Sequence, residues 1–179
     1  LISPNGLLIT NHHCGFGQIQ SHSSVEHDYL KNGFWAETLK DELPNKSLVV
    51  SFLDNMKDVT SSVLKGVKAK MTEEKRNALI KKNTNKILDS VYSTEGKGLM
   101  ARVLPLYYGN QYFLYVYKVY PDVRLVGAPP ASIGKFGGDT DNWMWPRHTG
   151  DFSLFRIYAD ENNEPAEYSP NNVPFKAKR

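Results

Sequence analysis

His12, His13 and Cys14 stand in a row behind a short apolar run, Leu7-Leu8-Ile9, which follows a Pro4-Asn5-Gly6 turn. The pattern predicts a tight turn feeding a strand that delivers the segment Thr10-Asn11-His12-His13-Cys14 to the strand's end. A general base must be held by a rigid element and still reach a cleft, and imidazole titrates near neutral pH without help. One of these histidines is therefore a candidate base. Far downstream, Asp151 stands at the mouth of a second apolar alternation, Phe152-Ser153-Leu154-Phe155-Arg156-Ile157.

Other chemistries fit these residues less well. His12, His13, Cys14, His22 and His27 are zinc-ligand types, and His22 to His27 has a spacing within common ligand ranges. Neighbours on a strand point to opposite faces, however, so His12 and His13 do not readily share one ion. The same alternation sets Cys14 opposite the base and disfavours it as a nucleophile, leaving it as a buried small apolar group. Asp139, Asp141 and Asn142 lack the glycine and distal glutamate of a calcium loop, and Gly134 to Gly138 lacks the Lys-Ser/Thr ending of a phosphate loop. No metal and no cofactor is expected.

The elements around these residues read mostly as strands. Gly15 to Gln20 is expected to let the backbone turn away beneath the site, and Tyr29 to Gly33 to form a short helix ended by the glycine. Leu48 to Leu53 is β-branched and continuous, a strand. From Asp54 to about Ser93 the period becomes helical, with Met56, Val59, Val63 and Val67 and then Ile80, Ile87 and Val91 in step, which predicts a helical insertion at about 54–95. Met100 to Tyr108, a Gly109-Asn110 turn and Gln111 to Tyr120 give a hairpin, and Pro121-Asp122 turns into Val123 to Gly127. Successive antiparallel strands of this kind predict a barrel of about six strands. The stretch from Ile133 to Asp151, rich in glycine, tryptophan and polar side chains, is too long and too unusual for filler. Within it Trp145 and Arg147 are expected to pack and brace the loop.

Apolar residues at 40%, charged residues at 23% and aromatics at 12% describe an ordinary folded chain of 179 residues. The formal charge of +3 has no basic run behind it, so no nucleic-acid partner is expected. One cysteine rules out a disulfide within the chain. No apolar run approaches the ~20 residues of a membrane span. The chain opens on Leu1 inside a strand-turn pattern, as an excised segment of a longer protein would.

Thr-x-x-His-Cys behind an apolar strand resembles the histidine motif of chymotrypsin-like serine peptidases, in which the match falls on His13. Gly150-Asp151-Phe152-Ser153-Leu154 resembles the motif of their triad aspartate, in the same chain order. More specifically, Thr10 to Gly15 together with Gly137-Gly138-Asp139-Thr140-Asp141-Asn142-Trp143-Met144-Trp145-Pro146-Arg147-His148-Thr149-Gly150-Asp151 resembles the bacterial serine dipeptidyl-peptidases of the dipeptidyl-peptidase 7 and 11 type. The resemblance runs nearly end to end, including Gly33-Phe34-Trp35 and the Tyr115-Val116-Tyr117-Lys118-Val119-Tyr120 strand.

That resemblance implies a mostly β fold: a chymotrypsin-like antiparallel β-barrel, the first of two in a double-barrel peptidase, occupying residues 1–179, with the second barrel and a large helical domain outside this chain. It implies His13 as general base and Asp151 as its orienting carboxylate, with Asn142 and Trp143 binding the free amine of a peptide substrate. His12 is expected to be a structural neighbour bonding backbone. The Gly-Asn/Asp-Ser-Gly nucleophile motif is nowhere in the chain, so the segment is expected to be inert alone. The implied function is release of dipeptides from free N-termini, by a homodimer when full length, in the periplasm or at the surface of a Gram-negative bacterium. A trypsin-like endopeptidase without N-terminal selectivity and a noncatalytic peptide-binding relic remain as alternatives.

Overall fold

The structure, a computed structural model, describes residues 1–95, 98–134, 145 and 149–177. In chain order, β1 spans Leu7–Thr10, α1 His12–His22, α2 Tyr29–Asn32, β2 Phe34–Trp35, β3 Leu43–Pro44, β4 Val50–Asp58, α3 Thr60–Val63, α4 Glu73–Glu95, β5 Leu99–Leu106, β6 Gln111–Tyr120, β7 Val123–Ala128, α5 Ala131–Gly134, β8 Ser153–Ala159 and β9 Val173–Pro174. They divide into two units, Leu1–Val50 with Tyr120–Arg179, and Ser51–Val119.

The first unit is built on an antiparallel sheet of order β1-β8-β7-β2, with β3 also beside β7 and β9 beside β8. Along β8, Ser153, Phe155 and Ile157 are buried and alternate with the half-buried Leu154 and Arg156, the period-2 signature of a strand with one face on a core. That core gathers Ile19 of α1, Val123, Leu125 and Ala128 of β7, and Phe155. The turn before β1 forms as its sequence predicts. Gly6 sits at φ +70°, and a Cβ there would lie 2.7 Å from the Ile157 carbonyl oxygen, so only glycine lets β1 dock in register on β8. The pairing Leu7 with Arg156 through Thr10 with Ser153 follows from that start.

The expected closed barrel is absent among the described residues, although the chain is mostly β and its sheets antiparallel. The path from β1 to β2 is open. β2 and β3 are two residues each and lie one after the other along the same strand, β7, so neither is long enough to carry the ladder onward. The expected meander also splits. β6 does not continue into a hairpin with β7, because Asp122 turns inward and its carbonyl accepts the Tyr158 N–H at 2.8 Å, joining β7 to β8 instead.

A buried polar network holds the outer end of this sheet. The Asp122 carboxylate accepts from Arg124 Nε at 3.0 Å and Nη2 at 2.8 Å and from Asn172 Nδ2 at 2.9 Å. The guanidinium lies 3.7 Å from the centroid of the Tyr158 ring. Burial works against the Arg124 charge, but Asp122 more than restores it and holds the pKa above the usual arginine value. Tyr158 donates to Glu42 at 2.8 Å, and Glu42 also accepts from Arg156 Nε at 2.9 Å. Burial first, and then the Glu42 carboxylate, push the Tyr158 hydroxyl far above the ordinary tyrosine range. Removing one member of a buried pair strands the other. D122A is expected to cost about 3–5 kcal/mol, read as a lower denaturant midpoint of the full-length protein; an unchanged midpoint would remove the network from the stability account.

The second unit is a three-stranded sheet of order β4-β6-β5 with α4 on one face. Tyr112, Leu114 and Val116 alternate with Phe113, Tyr115 and Tyr117 along β6, and the first set is buried. Ile80, Ile87, Leu88 and Val91 of α4, spaced as one helical stripe, pack against that set together with Val59 and Val63. Asn83 of α4 donates to the Val63 and Lys65 carbonyls at 2.9 Å each, satisfying the open end of α3. The helical period expected from Asp54 fails over its first residues: Val50–Asp58 is a strand. Met56, in step with the buried Val59 and Val63, is itself exposed on that strand. The β5-β6 hairpin forms as expected, turning at Tyr107 to Gly109.

Candidate active site

Asn11 follows β1 and is the N-cap of α1, so His12 and His13 are the first two residues of a helix rather than the end of a strand. Gly15 and Gly17, poor helix formers, belong to its interior, and the backbone does not turn away there as expected. The Asn11 side chain makes no bond to its own helix. Its Nδ2 instead reaches Asp151, donating to Oδ2 at 3.1 Å and to the carbonyl at 3.3 Å. The cap is supplied from 138 residues away: Asp151 Oδ1 accepts the His13 backbone N–H at 3.1 Å, meeting one of the open donors at a helix N-terminus, where negative charge is favoured. Ser153, wholly buried, donates to the Asn11 carbonyl at 3.0 Å and clamps the junction to β8.

The same carboxylate meets the imidazole. His13 Nδ1 lies 2.7 Å from Asp151 Oδ2. The Asp151 side chain is 13% exposed and that of His13 68%, so the pair has one sheltered and one open end. Burial alone would raise the Asp151 pKa, but the backbone N–H and ring of His13, with Asn11, outweigh it and hold the carboxyl below its usual value. A carboxylate so held accepts a hydrogen bond from Nδ1–H and leaves the other ring nitrogen, Nε2, as a lone-pair acceptor. Among the described residues Nε2 of His13 has no protein partner.

His12 departs from expectation. Its ring is 1% exposed, yet among the described residues neither nitrogen has a hydrogen-bond partner, backbone included. A buried imidazole left so forgoes about 1–3 kcal/mol per unsatisfied group. The ring instead lies edge-on to Phe16, centroids 6.4 Å apart, and against Gly134 of α5. Cys14 is exposed, not buried, as suits the third residue of a surface helix. Trp145 is 84% exposed and does not pack. Asn142 and Trp143, the expected amine-binding pair, lie outside the described residues, as does Arg147. Among the described residues no three His, Cys, Asp or Glu side chains gather closely enough to hold an ion, and no helix is long and apolar enough to cross a membrane. Sequence reasoning missed Asn11 and Ser153; an asparagine directly ahead of His12, Gly15 and Ile19, which are buried on one helical face, was the available signal for a capped helix.

The chain resembles proteins of known kind over its full length. A family described as peptidase S46 matches residues 1–179. An Asp/Glu-specific dipeptidyl-peptidase of Capnocytophaga gingivalis is 57% identical over 99% of this chain and 25% of its own length, and dipeptidyl-peptidase 7 of Phocaeicola vulgatus is 54% identical over 100% of this chain and 25% of its own. The crystal structure of Porphyromonas endodontalis DPP11 in complex with substrate superposes with a TM-score of 0.87 at 49% identity, covering 100% of this chain and 27% of that one. The chain thus spans about a quarter of the length of the relatives it matches.

Proposed function

The chain belongs to the peptidase S46 family, and from that premise we propose that it supplies the base and the orienting carboxylate of a serine dipeptidyl-peptidase whose nucleophile lies in the rest of the protein. One observation carries the reading: His13 Nδ1 and Asp151 Oδ2, 138 residues apart in sequence, lie 2.7 Å apart with the imidazole open to solvent. In this mechanism Asp151 keeps the proton on Nδ1, so Nε2 takes the proton of a serine hydroxyl as it attacks the scissile carbonyl. The imidazolium then faces a carboxylate held by two further donors, the His13 N–H and Asn11 Nδ2, and returns its proton to the leaving amine. Oxyanion stabilisation comes, like the serine, from outside residues 1–179.

The substrate is a peptide with a free N-terminus, cut after its second residue. Asn142 supplies an amide oxygen to accept from the ammonium and Trp143 an apolar wall, so that an amine carried out of water finds a partner. The relatives named for Asp/Glu specificity and as dipeptidyl-peptidase 7 are almost equally similar to this chain, which supports placing the choice of the second side chain in the remainder of the protein. The fold of the full-length protein is the double barrel of the chymotrypsin-like peptidases with a helical domain, the assembly a homodimer, and the site of action the periplasm or cell surface.

N142A in the full-length protein is expected to lower kcat/KM for a free-amine dipeptidyl coumarylamide about 10- to 100-fold, the value of a hydrogen bond to a charged group, and to leave an N-acetylated peptide unaffected. Equal loss on both substrates would discard amine recognition by Asn142; a wild-type rate on both would favour a general endopeptidase.

A further inference from the structure

We propose that His12 is a positioning residue: its ring wedges α5 against the first turn of α1 and so sets where Asp151 is presented to His13. The inference rests on the reading of His13 and Asp151 as base and orienting carboxylate. Four contacts close a circuit. His12 fills the space beside Gly134, where a Cβ would collide with Cδ2 and Cγ of its ring. Gly134 is anchored through its N–H on the Pro130 carbonyl at 2.9 Å. Its neighbour Ile133 accepts the Gly150 N–H at 3.0 Å, which brings the chain back to the same place after residues 135–149. Asp151 follows directly, and its two carboxylate oxygens take the His13 N–H and ring.

The two histidines thus share one job from opposite sides of one helical turn. His13 receives the carboxylate, and His12 holds the neck from which the carboxylate is extended. The arrangement accounts for two features that packing alone does not. A buried imidazole with both nitrogens unsatisfied is a poor choice for a core, and local rules are broken mainly where a site requires it. Gly134 has no positive φ that would call for glycine, and the three nearest atoms an alanine methyl would meet all belong to the His12 side chain.

The test uses the full-length protein with a free-amine dipeptidyl coumarylamide, and the low-field proton resonance of the His13 Nδ1–H as a readout of the His13–Asp151 contact. G134A is expected to push the ring and the neck apart, lowering kcat about tenfold or more with KM within threefold, and weakening the low-field resonance. The double variant H12A/G134A, which gives the methyl the room the ring occupied, is expected to recover kcat to within about threefold of wild type. G134A at wild-type kcat, or a double variant no better than G134A alone, would overturn the proposal. Should G134A not fold, H12A decides: a three- to tenfold lower kcat with a weakened resonance supports the wedge, and both unchanged refutes it. The resonance reports the contact whether or not His13 is the base, so an active H13A would discard the peptidase mechanism without touching the wedge.

Discussion

H13A in the full-length protein should lower kcat by about 10⁵-fold or more, the scale seen when a triad histidine is removed, while KM for a free-amine peptide stays within a fewfold. The size of the loss follows from what remains. A serine hydroxyl at neutral pH is almost wholly protonated, and Asp151 does not replace the base: its Oδ1 and Oδ2 are already committed to the His13 N–H and to Asn11 Nδ2, and it is largely covered. Substrate binding does not pass through the imidazole, which separates the effect on kcat from that on KM. His12 is the internal comparison. One residue away, buried and with no hydrogen-bond partner among the described residues, it is expected to cost tenfold at most when removed. Steady-state kinetics on purified, folded H13A decides the matter, and a rate within tenfold of wild type would end the assignment of His13 as base.

The contrast between adjacent histidines also marks what a sequence discloses. His13 and Asp151 were legible because each carries a recognisable flank, an apolar strand before one and after the other, although nothing in local periodicity reports that they meet. The β5-β6 hairpin was legible for a local reason: its burial alternates residue by residue through Leu114 and Val116. The helix at His12–His22 was not, because its two glycines carry low propensity and its cap is a carboxylate 138 residues away. The split between the two sheets was hidden too. Strands show their faces in sequence but not their partners, and the turn of β7 toward β8 depends on Asp122 meeting Tyr158 across the sheet. Glu42 bonds to Arg156 and Tyr158 over 114 and 116 residues, and nothing in its neighbours Lys40, Asp41 and Leu43 reports partners so distant.

D151N is the subtler substitution, nearly isosteric, and should lower kcat by about 10⁴-fold at neutral pH. Three donors converge on this carboxylate: the His13 N–H on Oδ1, and Asn11 Nδ2 with His13 Nδ1 on Oδ2. An amide has only one acceptor oxygen to offer them. With its NH₂ at the Oδ1 position it faces the helix N–H, donor against donor. Turned the other way, the NH₂ meets Nδ1, which must then be the acceptor, so the ring proton moves to Nε2, the wrong tautomer for the proposed base. Stability gives an independent check. The folded pKa of Asp151 lies below its ordinary value, because the donors of His13 and Asn11 outweigh burial. Its contribution to stability is therefore complete above the unfolded carboxylate value of about 3.9 and is lost as pH falls through the lower folded value. The gap in denaturant midpoint between wild type and D151N should close as pH falls below about 4; a gap that persisted unchanged in strong acid would mean the charge of Asp151 is not what His13 and Asn11 hold.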